Sequence, residues 1–579
     1  MGRTVTIAPI YAPEPGEQPA PRRARANGPL RTLVAMVAVA LAFAAVAIQL
    51  IRLAVPGYFE MSASMSETVG QIYARPDIVD RNGRLLATDV EVYSLFADPA
   101  HVIDRDEVVE ELAGIFPDLN RDDLFKDLSD RSRRFVWIRR GLSPNVAQRV
   151  HNLGLPGLDF RRELRRAYPG GMLAGHVLGY VNIDNKGVAG IERYIDEKVG
   201  VEAVQGAALI DRAPVKLSID MGVQHAVEAE LEKALKEYKA RGAAGLVLDV
   251  DTGEVVASAS LPQVDPARPS MSLDAARIDK IASSTFELGS IFKTVTVATA
   301  LEAGVVTPST VLDVRKPISA GRYTIKDLHS AGRPLSVAEV FIHSSNVGAA
   351  MLARKLGTND MRTALRRLQL LGPMETEVGA IAPPQMPERW GEVENMTISY
   401  GHGLAVAPLQ FAAATAALIN GGSQVFPTFI KRPADSGRAL IPLISAQTSA
   451  QVRDLMRRNV TDAHGTGKRA AVAGYEVGGK TGTAEMPGPG GYRKKKVISS
   501  FLAGFPMSHP KYLVLVLLFE PSPTAAARGE VLAALNAAPT TGRIISRIGP
   551  MLGVSTASTV PEKTGMAFDG SAAATYETR

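Results

Sequence analysis

Phe286-Glu287-Leu288-Gly289-Ser290-Ile291-Phe292-Lys293-Thr294 sets a serine three positions ahead of a lysine, with a glycine directly before the serine. If the chain is helical after Gly289, residues i and i+3 share a face and the lysine amine reaches the serine hydroxyl. A serine hydroxyl is a weak nucleophile at neutral pH, and a lysine takes its proton only when desolvation or a neighbouring cation lowers the amine's pKa. The stretch therefore predicts a nucleophile beside a base and requires a second positive group nearby.

The short pattern S-x-x-K recurs at Ser508/Lys511, but Pro510 stands between those residues and disfavours the helical turn the pair needs. Two further motifs follow the first copy, Ser344-Ser345-Asn346 and Lys480-Thr481-Gly482-Thr483. Each also has a second copy, S-x-N at Ser143/Asn145 and Lys-Thr-Gly at Lys563. Serine acyl enzymes that use S-x-x-K require the three motifs in a fixed order. Ser143 precedes the nucleophile and Lys563 sits in a polar tail, so one combination survives.

In that combination Ser290 opens a central helix, whose first N–H groups could bind an attacked carbonyl oxygen. Lys480 to Thr483 reads as a sheet strand, with Gly482 letting a ligand approach the backbone. Lys480 supplies the second positive charge and can attract a substrate carboxylate. Ser344 can relay a proton to a leaving amine, and Asn346 can hold a substrate amide.

The 579 residues, 46% of them hydrophobic, suffice for two or three domains with real cores. The net charge of +6 is spread along the chain and does not suggest nucleic-acid binding. The basic clusters Arg131 to Arg140, Arg161 to Arg166 and Arg493 to Lys496 read as solvated faces. With no cysteine, disulfides, thiolate metal sites and a cysteine nucleophile are excluded.

Residues 1–31 form a basic, Pro- and Ala-rich tail expected to be disordered. From Leu33 to Ile51 no charged residue occurs, long enough for a transmembrane helix, expected over 32–53. A cleaved signal peptide would have a shorter apolar region. Arg22, Arg23, Arg25 and Arg31 before the span place the N-terminus in the cytoplasm and the rest outside the membrane.

Residues 54–214 are expected to form a non-catalytic pedestal or dimerisation domain. It begins around the hairpin signal Asn82-Gly83 and contains helices near Glu107 to Phe116 and Pro144 to Leu153. Residues 215–553 form a second domain. An amphipathic helix carries Val223, Ala226, Val227, Leu231 and Ala234, and a hairpin follows over Ala244 to Ser260. A helical block extends from Ser290 to about Ala417, strands recur at Gly478 to Ala484, Ile498 to Phe505 and Tyr512 to Phe519, and a helix resumes near Glu530. This order implies an α+β fold with one antiparallel sheet and helices on both faces. The tail 554–579 is expected to be disordered.

These motifs, together with Arg75 to Ala87, Arg166 to Glu192, Gly245 to Pro262, Ser399 to Gln410 and Ser500 to Phe505, resemble the class B penicillin-binding proteins. Tyr400-Gly401-His402-Gly403-Leu404 looks more like the division-specific, FtsI-type branch than the elongation branch. Leu288 stands where the family usually has proline. The resemblance implies a beta-lactamase-like transpeptidase domain and a peptidoglycan D,D-transpeptidase that acylates Ser290 with the D-Ala-D-Ala end of a stem peptide. It makes Lys293 the base, Ser344 and Asn346 the relay and substrate holder, and Lys480, Thr481 and Thr483 the carboxylate site. The N–H groups of Ser290 and Thr483 become the oxyanion hole. It implies no metal or cofactor, inhibition by beta-lactams, and an FtsW-type glycosyltransferase and other divisome membrane proteins as partners. The alternatives are an elongation-type transpeptidase, a D,D-carboxypeptidase, a beta-lactam sensor and a beta-lactamase. The last needs a water-activating base, for which Glu375, Glu377 and Glu388 are candidates.

Overall fold

The computed structural model describes residues 33–34, 36–47, 49, 72–199, 202–204, 213–321, 323–433, 441–488 and 491–556. The expected tail 1–31 and most of the tail 554–579 lie outside them, as does part of the expected span 32–53. The residues described between 33 and 49 are helical and exposed. Among the described residues, no helix is long and apolar enough to cross a membrane. The chain divides into two units, 1–71 and 72–579, and the three motifs all lie in the second.

The Asn82-Gly83 signal is a turn joining β1 (Ile78–Val79) to β2 (Leu85–Ala97), with Gly83 at φ +86°. Such a φ suits glycine, which has no Cβ to clash. The long strand β2 is flanked by β3 (Val136–Leu142) and β4 (Leu158–Ala167), while β1 pairs in parallel with β5 (Val215–Lys216). Helices α1 (Arg105–Ile115), α2 (Arg121–Ser129) and α3 (Pro144–His151) cover this sheet through Val108, Leu112, Leu124, Leu128, Ala147 and Val150. The basic run on β4 is not wholly a solvated face. Arg166 is buried, bonding Glu192 Oε1 at 2.7 Å and Pro76 O at 2.9 Å, and Arg75 meets the same carboxylate at 2.9 Å. A buried guanidinium persists only when its charge is matched in this way, and sequence spacing did not show the match.

The pedestal hairpin grips the start of α4 (Met221–Glu237). Asp80 accepts from Met221 N at 3.1 Å, Arg81 N donates to Ile219 O at 2.8 Å, and Asn82 Nδ2 donates to Asp220 Oδ2 at 2.7 Å. Asp220 also caps α4, accepting from Gly222 N and Val223 N.

Beyond α4 lies the expected antiparallel sheet. Strands β6 (Gly242–Asp249), β7 (Val255–Leu261), β8 (Gly478–Gly488), β9 (Gly491–Phe505) and β10 (Tyr512–Phe519) stand in the order β7-β6-β10-β9-β8, which leaves β8 at an edge. Side chains alternate across a strand, so a sheet covered on both faces needs apolar residues at every position. Leu513, Leu515 and Leu517 face α5 (Lys293–Glu302) and α8 (Pro408–Ile419), packing with Phe292, Val295 and Phe411. Val514, Val516 and Leu518 face α4 and α9 (Ala537–Met551), packing with Val227, Leu231, Ile544 and Ile548. The last helix begins later than the sequence suggests, because a turn and a short 3-10 segment occupy the residues before Ala537. The helical block between Ser290 and Ala417 also holds short hairpins, one of them Ile318–Ala320 with Tyr323–Ile325, next to the site.

Candidate active site

Ser290 lies in a 3-10 turn, Gly289–Phe292, rather than in the regular helix expected, and α5 follows at Lys293. The tighter turn serves the pair better. In 3-10 geometry residues i and i+3 eclipse, and Lys293 Nζ stands 3.0 Å from Ser290 Oγ. Gly289, at φ +60°, makes the sharp entry possible, and a Cβ there would press on Thr483 O at 3.0 Å.

The second motif lies between α6 (Val337–Ile342) and α7 (Asn346–Leu356). Ser344 adopts φ +60°, a strained conformation for a residue with a Cβ. That twist aims both its oxygens at the lysine, with Ser344 O 2.6 Å and Oγ 3.2 Å from Lys293 Nζ. Asn346 Oδ1 lies 2.7 Å from the same nitrogen. From the third motif, Lys480 Nζ reaches Ser344 Oγ at 2.9 Å. The three motifs, far apart in sequence, thus form one connected cluster.

The protonation states follow from burial. The Lys293 side chain is buried, and desolvation draws its amine from 10.5 down to about 7, opposed by the charge of Asp327. Burial lowers Lys480 well below its ordinary value too, with the Lys293 charge adding to the effect. The expectation that a second positive charge, supplied by Lys480, is required to lower Lys293 is corrected, since burial is the first cause for both amines. A neutral Lys293 has two N–H groups and one lone pair. Ser344 O and Asn346 Oδ1 only accept, and they use both N–H groups. The lone pair is left for a hydroxyl proton, and Ser290 offers one.

Gly482 is needed for packing within the protein itself. A Cβ on it would lie 2.4 Å from Ser500 Oγ and 2.6 Å from Leu288 O, so glycine lets the strand pack against the turn bearing the nucleophile. Thr481 Oγ1 bonds Thr466 Oγ1 at 2.8 Å, and Thr483 Oγ1 accepts from Ala533 N at 3.2 Å. The set-aside copies at Ser143 and Ser508 stay apart from the cluster. Ser143 is the N-cap residue of α3, Ser508 N bonds Glu476 Oε2 at 3.0 Å in the turn between β9 and β10, and Lys563 lies outside the described residues. Glu377, a candidate water-activating base, instead bonds Thr428 Oγ1 at 2.6 Å and Phe429 N at 2.9 Å.

Sequence reasoning missed Asp327, Thr466 and Asn459. Asp327 accepts from Asn346 N at 2.5 Å, Val347 N at 3.0 Å and Ser345 Oγ at 2.7 Å, a carboxylate at the start of α7 that holds Asn346 in place. Asn459 binds Gly479 O at 2.8 Å and Thr466 N at 3.1 Å, tying the Thr466 loop to β8. No local motif marks these residues. Only Ser345, a serine directly before a helical run, carries a readable N-cap signal.

Residues 243–538 match the model of the penicillin-binding protein transpeptidase domain, and 73–206 match that of the penicillin-binding protein dimerisation domain. The chain belongs to the penicillin-binding protein transpeptidases. It is 40% identical over 488 residues to the probable peptidoglycan D,D-transpeptidase FtsI of Caulobacter vibrioides, covering 83% of this chain and 82% of that one. To the peptidoglycan D,D-transpeptidase FtsI of Escherichia coli K12 it is 31% identical over 477 residues, covering 77% and 79%. The structure of penicillin-binding protein 3 of Mycobacterium tuberculosis, complexed with aztreonam, matches with a TM-score of 0.65 and 25% identity, over 84% of this chain and 98% of that one. The division-type relatives agree with the reading of Tyr400 to Leu404.

Penicillin-binding proteins of this kind are assayed by their acylation rate, and Lys293 sets the expected pH dependence. An ammonium cannot accept the Ser290 proton, so the reactive fraction rises with pH and levels off above about 7. Below that limb the rate is expected to fall about tenfold per pH unit, measured with a fluorescent penicillin. A flat profile from pH 5 to 8 would contradict Lys293 as the base.

Proposed function

We propose that the protein is a division-type peptidoglycan D,D-transpeptidase that cross-links stem peptides of septal wall through an ester at Ser290. The observation that carries this reading is the Lys293 amine, desolvated and within hydrogen-bond reach of Ser290, Ser344 and Asn346 together. Ser290 Oγ attacks the carbonyl carbon of the penultimate D-Ala as its proton passes to the Lys293 lone pair. The N–H groups of Ser290 and Thr483 hold the developing oxyanion. Collapse of the intermediate breaks the amide bond, and Ser344, between Lys293 and Lys480, relays a proton to the departing D-Ala nitrogen. Lys480, Thr481 and Thr483 bind the D-Ala carboxylate, and Asn346 holds the donor amide. A second strand's amine then takes the acyl group. A beta-lactam opens on the same serine.

Residues 32–53 anchor the chain in the inner membrane with the N-terminus cytoplasmic, supported by the charge-free run from Leu33 to Ile51 and the arginines before it. Residues 54–214 serve as pedestal and 215–553 as catalytic domain. Glycan polymerisation belongs to an FtsW-type membrane partner within the divisome, since the matched regions are a dimerisation and a transpeptidase domain.

The test supplies the full chain, with its polymerising partner, with uncross-linked strands bearing pentapeptides. Dimeric muropeptides are expected to exceed free tetrapeptides, with a long-lived penicilloyl adduct. Rapid penicillin turnover, or tetrapeptides without dimers, would make the protein a hydrolase.

A further inference from the structure

Ser344 is held in a backbone conformation that a residue with a Cβ does not choose. A φ of +60° persists only where the surroundings over-determine it. After Ser344 the constraint is the Asp327 carboxylate, which accepts from Ser345 Oγ at 2.7 Å and from Val347 N at 3.0 Å. Before it, α6 ends at His343, whose N donates to Glu339 O at 2.8 Å, and Ser344 N donates to Phe341 O at 3.2 Å. These last two bonds lie within the closing turn of the helix itself.

The His343 ring reaches further. It stacks on the ring of His464, with centroids 5.5 Å apart and planes 23° from parallel. Near-parallel rings at that spacing attract one another. His464 is exposed, in the loop after the helix Ala446–Thr461, and the backbone of that loop is closely held. His464 N donates to Asp462 Oδ1 at 2.9 Å, Gly467 N donates to Asn459 O at 3.0 Å, and a Cβ on Gly465 would lie 2.2 Å from Asn459 O. The loop is fastened to β8 on both sides of Lys480. Thr481 Oγ1 donates to Thr466 Oγ1 at 2.8 Å, and Asn459, which accepts from Thr466 N at 3.1 Å, donates to Gly479 O at 2.8 Å. Lys480 in turn reaches Ser344 Oγ at 2.9 Å.

We propose that His343 and His464 are positioning residues for Ser344. Their stack closes a circuit of contacts, His343–His464–Thr466–Thr481–Lys480–Ser344, that keeps the serine oxygen between the two lysines. The imidazoles act by stacking and transfer no proton. This rests on the reading of Ser344 as the proton relay.

The test measures the acylation rate constant with a fluorescent penicillin at pH 8, above the Lys293 limb, for the full-length protein in detergent and its variants, with a melting temperature for each. H343A and H464A are each expected to lose about fivefold, the worth of one aromatic pair, and the double variant H343A/H464A no more than either, since one substitution already breaks the stack. H343F/H464F, which keeps two stacking rings, is expected to retain the parent rate. Adding H464A to the slow variant S344A is expected to cost nothing further, because the histidines act through that serine. Losses that multiply in H343A/H464A, a parent rate in H464A, a further loss when H464A is added to S344A, or H343F/H464F as slow as H343A/H464A would each overturn the proposal. Should H343A not fold, the exposed position carries the test, with a loss expected in H464A and not in H464F, and equal rates in those two overturning it. S344A acylating at the parent rate would overturn the relay reading itself, a different result from unaffected histidine variants beside a slow S344A.

Discussion

Ser290→Ala protein is expected to form no covalent adduct with labelled penicillin, where the parent forms a penicilloyl ester at Ser290. The loss should approach the roughly 10⁶-fold seen when a serine nucleophile is removed from a site whose parts act as a unit. Nothing else in the cluster replaces the missing oxygen. Ser344 Oγ also lies within reach of Lys293, at 3.2 Å, but it is engaged by Lys480 at 2.9 Å on backbone already strained at φ +60°. Substitution at this turn leaves the buried contacts of Ile291 and Phe292 intact, so the melting temperature should change little. Gel fluorescence with peptide mass mapping reads the result. A fragment beginning near Ala54 should be soluble and behave like the whole chain, because the charge-free run ends at Ile51, before every motif. An adduct on the alanine variant, or one mapped to Ser508, would remove the assignment.

The second large effect is expected at Lys480. Lys480→Ala should slow acylation by roughly 10²- to 10³-fold, the usual cost of deleting one preorganised electrostatic contact at a reacting centre. The amine is buried at the edge strand β8, bonded to Ser344 Oγ at 2.9 Å and to Thr481 O at 3.1 Å. Its removal takes away the donor that orients the relay hydroxyl, and leaves the buried Thr481 carbonyl without that partner. Lys563→Ala, in the same tripeptide within the tail, should leave the rate unchanged. The comparison needs only acylation rate constants for three proteins. Equal rates for the parent and Lys480→Ala would show the third motif to be misplaced.

Much of this protein is determined by local pattern. The continuous apolar run Tyr512–Phe519 specifies a strand buried on both faces, and the spacing of Val223, Val227 and Leu231 specifies the helix that covers one of them. Asn82-Gly83 specifies its own turn, since the backbone conformation there depends on glycine itself. The three motifs name the reacting groups, because side-chain type and order carry that information along the chain. Tertiary structure alone decided how those groups behave. The drop of Lys293 to about 7 comes from burial by elements distant in sequence, and the strained φ of Ser344 from the way α6 and α7 meet. Asp327 and Asn459 act through hydrogen bonds to a helix start and a strand end that exist only once those elements are placed. Gly482 leaves the space in which Leu288 O and Ser500 Oγ sit, a packing need that sequence does not show. Arg166, in a run that looked solvated, is enclosed by Glu192 and Pro76. Pattern along a chain reports which face of an element is apolar, whereas desolvation, charge pairing and close approach are set by what the opposite element brings.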